Sequence, residues 1–163
     1  MKILGINALN HDAAITLIED NKILFAAHAE RYSGIKNDSN LNKEMFEDME
    51  DYIVQNSRGG IDKVVWFERP WIKKLRQLKA GQYSEVFTLD NLPQRHLDSV
   101  MGKWNYTIDE YVDHHLSHAS STYFTSPYKE SAVVVIDAIG EFDTISIWYA
   151  KGNKLEKRWS QTY

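Results

Sequence analysis

The chain opens and closes in groups of three strand-like runs, and this repetition constrains its fold more than any single motif does. At the N-terminus KILGINA, AAITLIED and KILFAAHAE are separated by Leu9-Asn10-His11-Asp12 and by Asp20-Asn21, so a three-stranded meander is expected. From residue 131 onward AVVVID, TISIWYA and KLEKRWSQT make a second meander, its last two strands joined at Lys151-Gly152-Asn153. AVVVID is continuously apolar, the pattern of a strand covered on both faces at a sheet centre. Between the meanders, Leu41, Met45, Met49, Tyr52 and Ile53 recur at helical spacing behind the cap candidates Ser39 and Asn40, and Gly59-Gly60 ends the segment. KVVWF is a short buried strand. Pro70 suits the first turn of a helix whose apolar positions are Trp71, Leu75 and Leu78, and a second helix follows Pro93 through Leu97, Val100, Met101 and Trp104. A further strand is expected near Glu110 to Val112. The order βββ, αβ units, βββ predicts an α/β protein with a mixed sheet and flanking helices: a first lobe over residues 1–130, then the opening meander of a second lobe over 131–163.

With 163 residues, 43% of them hydrophobic, the chain can bury one core of ordinary domain size. Its net charge of -4 supplies no basic field, so neither nucleic acid nor an anionic membrane is implied as a partner. There is no cysteine, which leaves His, Asp and Glu to hold any metal. No apolar run approaches the roughly 20 residues of a membrane span, and a cytoplasmic protein is the simplest expectation.

The richest chemical signal is HHLSHASSTYF, which begins at His114 and is followed by the apolar run ending in Asp137. On a helix His114 and His118 share one face, so two imidazoles can meet one ion while a strand-end carboxylate closes the site from the side. Two His and one carboxylate suit zinc or ferrous iron with positions left open for substrate. Histidines four apart also serve as cap or packing residues, and the spacing alone does not separate the two. His115 points roughly 100° away from His114 and is expected to pack rather than ligate.

Other candidates are more local. Asp137-Ala138-Ile139-Gly140-Glu141 leaves a strand for a glycine-containing turn, which can present a carboxylate to a metal or phosphate, or can be a plain hairpin with a solvated Asp. His11-Asp12 lies in an inter-strand turn, where an imidazole can act as a general base or be an ordinary polar turn residue. Glu30-Arg31-Tyr32-Ser33-Gly34-Ile35-Lys36 follows a strand with two cations that could hold a phosphate, surface charge being the alternative. Lys73, Lys74, Arg76 and Lys79 scatter around their helix and are expected to form a solvated face.

Taken together, GINALNHDAA, AERYSGIK, HHLSHASSTYF and VVVIDAIGEFDT resemble, in order and spacing, the O-carbamoyltransferase family, which includes nodulation and antibiotic carbamoyltransferases. The resemblance covers nearly the whole chain. It implies a sugar-kinase, Hsp70 and actin type (ribonuclease H-like) domain, joined in family members to a smaller domain that makes carbamoyl-adenylate from carbamoyl phosphate and ATP. It further implies that His114, His118 and Asp137 are metal ligands, usually of Fe(II), that His11 is the base for the acceptor hydroxyl, and that Lys36 contacts the carbamoyl-adenylate. Gly140 and Glu141 would lie beside the ligand, and the acceptor would be a small molecule bearing a hydroxyl.

Where the family usually has consecutive glutamates before the Arg-aromatic pair, this chain has His28 and Ala29 ahead of Glu30. Family proteins are also several times longer, so the resemblance implies that these residues alone do not complete the reaction. Two competing readings remain at this level: a tRNA threonylcarbamoyl-transferase-like enzyme, against which HDAA and AERYSGIK argue, and a non-catalytic metal- or nucleotide-binding module. A sheet that ends on the third strand of its second meander predicts a homo-oligomer or a complementary C-terminal chain, with contacts around Val133 to Trp159.

Overall fold

The computed structural model describes residues 1–57, 59–89 and 92–162, with the side chain of Ile139 outside the description. The chain divides into two compact units, Met1–Phe67 with Phe87–Tyr111, and Glu68–Val86 with Val112–Tyr163.

The first unit holds a mixed five-stranded sheet in the order β3-β2-β1-β4-β5, built from β1 (Lys2–Asn7), β2 (Ala14–Glu19), β3 (Lys22–His28), β4 (Lys63–Trp66) and β5 (Glu110–Tyr111). The first three strands form the expected antiparallel meander, and β4 and β5 add in parallel beside β1. Asp20 and Asn21 make the two-residue turn between β2 and β3, both at positive φ, as the right-handed twist of a tight hairpin requires. Strict alternation sends Leu4 and Ile6 of β1, Ile15 and Leu17 of β2, and Val64 and Trp66 of β4 into one core.

The helical part of this core comes from α2 (Lys43–Asn56), which buries Met45, Phe46, Met49 and Ile53, and from Leu97 of α5 (Pro93–Val100). Each such side chain contributes about 1.5–3 kcal/mol on leaving water. A four-residue helix, α1 (Glu30–Ser33), follows β3 and stops at Gly34, whose φ of 69° is readily available only without a Cβ. The expected caps Ser39 and Asn40 are not the caps of α2: Asn42 Oδ1 accepts from Met45 N at 3.1 Å, while Asn40 N donates to Asp38. Those preceding residues belong to a loop with its own hydrogen bonds, and the helix begins later than its apolar periodicity suggested. Glu50 is the buried exception in the apolar face; it accepts from Lys103 N and from the Tyr106 hydroxyl, so its carboxylate is not orphaned.

In the second unit, α3 (Pro70–Lys79) and the short α4 (Tyr83–Phe87) precede α6 (His114–Phe124) and an antiparallel sheet of β6 (Glu130–Gly140), β7 (Asp143–Lys151) and β8 (Lys154–Thr162). Gly152, at φ 57°, turns the β7–β8 hairpin where it was expected. Ala119 and Tyr123 of α6 pack with Val133, Val135, Trp148 and Ala150 in one core. The histidine helix is therefore grouped with the second meander, whereas a division at 130/131 places it in the first lobe. The expected burial of the first strand of the second meander is corrected. AVVVID is not covered on both faces: Val133 and Val135 are buried, but Val134 and Ile136 are 57% and 76% exposed, because α6 covers one side of the three strands. The three apolar positions expected to form the packed face of α3 are likewise outward, with Trp71, Leu75 and Leu78 exposed and Gln77 buried.

Replacing Asn42 by Ala removes the side-chain acceptor at the start of α2. Urea denaturation is expected to show a loss of about 1 kcal/mol; an unchanged midpoint with an unchanged slope would contradict this role.

Candidate metal centre

Helix α6 begins on Asp113, whose Oδ1 accepts from Leu116 N at 2.9 Å and thereby caps it. The other oxygen, Oδ2, accepts from the Arg69 guanidinium at 2.7 Å and lies 3.4 Å from Lys157 Nζ. Burial opposes ionisation of Asp113, yet the Leu116 amide, Lys157 and Arg69 outweigh it and hold the carboxyl below its ordinary range. This anchor fixes the first turn, on which His114 is buried, and one turn later His118 is half exposed.

The two imidazoles meet edge on, with His114 Nε2 and His118 Nε2 3.1 Å apart. Asp137 supplies the third group, its Oδ2 lying 3.0 Å from His114 Nε2 and 3.9 Å from His118 Nε2. One ligand atom from each of these residues lies within 4.8 Å of the other two. Asp137 reaches this position by ordinary strand alternation, in step with Val133 and Val135, which pack against α6, while Val134, Ile136 and Ala138 are exposed. Ile136 pairs with Ile145 and Gly140 with Asp143, so residues 137–139 of β6 stand against Thr144 alone. This bulge shifts the phase of the strand after Asp137, so that Gly140 faces the histidines as well. Asp137 Oδ1 accepts from Ala138 N at 2.6 Å, which orients the carboxylate. Beside it a cavity of about 220 Å³ is bordered by His118, Thr122, Val134, Ile136 and Asp137.

The donor set fits a divalent ion of the zinc or ferrous class, two imidazole nitrogens and one carboxylate oxygen with one side open. His115 is turned elsewhere. Its Nδ1 is 2.7 Å from Ser146 Oγ, which also accepts from Trp148 Nε1, and burial pushes its pKa down. Gly140 lets both rings approach the strand: a Cβ there would come within 2.5 Å of His114 Cδ2 and 2.7 Å of His115 Cδ2.

Glu141, at φ 56°, is buried and engaged by a single cation. Its Oε1 accepts from Arg69 N at 2.7 Å, and both carboxylate oxygens accept from the guanidinium. Glu68, beside Arg69 in sequence, is also buried; Lys73 Nζ donates to its Oε1 at 2.6 Å, and its Oε2 lies 3.6 Å from His114 Nδ1. Lys74 Nζ donates to the Val86 carbonyl at 2.7 Å. The basic residues of α3 are thus not simply a solvated face, a correction that follows from their long stems reaching back to polar groups at either end of the helix. Glu68, Arg69 and Asp113 were not singled out in the sequence. Only Asp113 carried a usable signal there, as an Asp directly preceding a helical pattern.

His11 and Lys36 belong to the first unit. His11 is exposed, and its Nδ1 is 2.7 Å from Asp12 Oδ2, while the other Asp12 oxygen lies 3.5 Å from His28 Nε2. Asp12 itself sits at φ 53°. Lys36 is exposed in the loop after α1, where Asn37 N donates to Glu30 Oε2 at 3.1 Å. An open cavity of about 530 Å³ in the same unit is bordered by Thr16, Ala27, His28, Arg31 and Tyr32.

Residues 2–163 match the Carbamoyltransferase N-terminus family, and the chain belongs to it. It is 29% identical over 179 residues to the uncharacterized protein sll1178 of Synechocystis sp., covering 96% of this chain and 28% of that one. Identity to the uncharacterized protein MJ1058 of Methanocaldococcus jannaschii is 26%, over 93% of this chain and 33% of that one. The nodulation protein NolNO of Sinorhizobium fredii is 29% identical over 144 residues, 83% of this chain and 21% of its own length. The chain therefore spans a third or less of each of these relatives. Among solved structures, the PPX-GPPA enzyme of Aquifex aeolicus aligns with 99% of this chain and 52% of its own at 15% identity and a TM-score of 0.41. Among the described residues, no helix is long and apolar enough to cross a membrane.

Gly140→Ala is expected to displace the two histidine rings or the strand beneath them and to cost about 1–3 kcal/mol. Thermal and urea unfolding check this. A variant as stable as the parent, with unshifted histidine ring resonances, would show that the contact is not tight.

Proposed function

We propose that this chain carries the metal-binding part of an O-carbamoyltransferase, in which a carbamoyl group passes from carbamoyl-adenylate to the hydroxyl of a small-molecule acceptor. The observation that supports this most is the convergence of His114, His118 and Asp137 in a chain of the Carbamoyltransferase N-terminus family. These three residues would hold Fe(II), or zinc in its place, through His114 Nε2, His118 Nε2 and a carboxylate oxygen of Asp137. Such an ion supplies Lewis acidity toward the carbamoyl carbonyl when bound.

His11 is assigned the base. With Nδ1 turned to Asp12, its Nε2 is the atom that receives the hydroxyl proton. The acceptor oxygen then bonds to the carbamoyl carbon, the bond from that carbon to the adenylate phosphate oxygen breaks, and AMP leaves. Lys36, a flexible exposed cation, suits contact with the adenylate phosphate. Carbamoyl phosphate and ATP are the proposed sources of the adenylate in the whole protein. Gly140 and Glu141 support this site from beneath: the glycine admits the histidine rings, and the Glu141 carboxylate holds Arg69, which also binds the cap of α6. The exposed Val134, Ile136 and Trp159 favour a further chain segment or a second copy over the open sheet face.

The test uses the protein at its full natural length, with carbamoyl phosphate, ATP and hydroxyl acceptors, and tRNA as a parallel arm. Carbamoylated small-molecule product with AMP release is expected, falling about 10²–10⁴-fold in His11→Ala; transfer to tRNA alone, or full activity in both His11→Ala and Asp137→Ala, would defeat the reading. Metal affinity should also follow pH. Burial opposes protonation of His114, but Glu68 and Asp137 more than offset it and raise its pKa above the ordinary 6.5. Because protonated imidazole does not ligate, binding is complete above that raised value and is lost as pH falls through it, beginning on the alkaline side of 6.5. Calorimetric zinc affinity that stays flat from about pH 8 to about pH 5.5 would contradict this.

A further inference from the structure

We infer that Glu68 is a positioning residue for this metal centre, holding the His114 ring with a proton on Nδ1 so that Nε2 presents its lone pair to the ion. The assignment rests on the metal reading above. His114 has two ring nitrogens in two different environments: Nε2 faces His118 and Asp137, and Nδ1 faces Glu68 at 3.6 Å. A neutral imidazole that ligates through one nitrogen carries its proton on the other, and a carboxylate acceptor for that proton fixes both tautomer and ring orientation. Movement of about half an ångström brings the Glu68 contact to normal hydrogen-bond length.

Glu68 is suited to the task by its own surroundings. It is 5% exposed, lies just past the end of β4, and is tethered through its other oxygen to Lys73 at 2.6 Å. An ionised carboxylate at such depth requires compensation. Lys73 provides one partner, and the His114 N–H, 3.6 Å from the other oxygen, would provide the second once the contact closes to hydrogen-bond length. The same residue cannot be exchanged for an apolar one without leaving Lys73 and His114 Nδ1 facing a partner that no longer accepts.

The experiment loads the full chain with zinc and follows affinity together with the proton-detected nitrogen spectrum of its histidines. Glu68→Ala is expected to weaken zinc binding about 10–100-fold and to abolish the downfield Nδ1–H signal of His114. Glu68→Gln, which keeps an acceptor oxygen, should recover part of the affinity and retain that signal, and it guards against a folding defect in the alanine variant. Lys73→Met breaks the tether while leaving the carboxylate, and should cost less than Glu68→Ala. The inference is overturned if Glu68→Ala binds zinc within about twofold of the parent while His118→Ala does not bind, since a carboxylate that orients a ligating histidine is worth at least about tenfold in metal affinity. It is also overturned if Lys73→Met is as damaging as Glu68→Ala, which would mark a purely structural role. A parent chain that binds no zinc would overturn the metal reading itself, and this assignment with it.

Discussion

The second unit depends on a mismatch in one pair of strands. Between the Ile136–Ile145 and Gly140–Asp143 pairings, β6 carries residues 137–139 where β7 carries only Thr144. A regular ladder alternates side chains between the faces and so sets Asp137 on the α6 side with Val133 and Val135; the bulge breaks that alternation after it and brings Gly140 to the same side. The consequence is a carboxylate 3.0 Å from an imidazole on α6, next to a glycine that admits two rings at distances no Cβ tolerates. Two elements with different periodicities meet here, a helix repeating at 3.6 residues and a strand repeating at two. The two repeats bring His114, His118 and Asp137 to one point, the bulge adds Gly140 beneath the rings, and Ala119, Tyr123, Val133 and Val135 keep the rest of the contact apolar.

Around this point the unit gathers many charges, and their arrangement explains why they can be buried. Arg69 joins Glu141 to Asp113, Lys157 joins Asp113 to Asp143, and Lys73 holds Glu68. Removing a single partner from such a network leaves an uncompensated charge in a medium of low polarity, which costs more than the intact pair contributes. The network thus acts mainly to specify geometry: it ties the segment entering α3, the cap of α6 and the β6–β7 turn to one another. Arginine suits the central place because its planar fork can satisfy two carboxylates while its own backbone N–H serves one of them.

Much of this was legible before the structure. The two meanders, α2, the prolines opening α3 and α5, and the pairing of His114 with His118 all follow from periodicity and turn chemistry. What stayed hidden depends on tertiary approach. The apolar run 132–136 could not disclose that one of its faces is open, since continuous hydrophobicity fits either case when the covering layer is unknown. Asn42 displaced Ser39 and Asn40 as the cap because the loop before α2 uses its own polar groups locally. Glu68 and Arg69 lie far from the histidines in sequence, and their place is set by where β4 ends and α3 begins.

The claim on which everything else rests is that His114, His118 and Asp137 share one ion. Anomalous diffraction from crystals soaked with zinc, recorded on both sides of the zinc edge, tests it most directly. The account predicts one strong peak at roughly 2.0–2.2 Å from His114 Nε2, His118 Nε2 and an Asp137 oxygen. A fully occupied peak elsewhere in the chain, with these three side chains pointing to separate places, would contradict it.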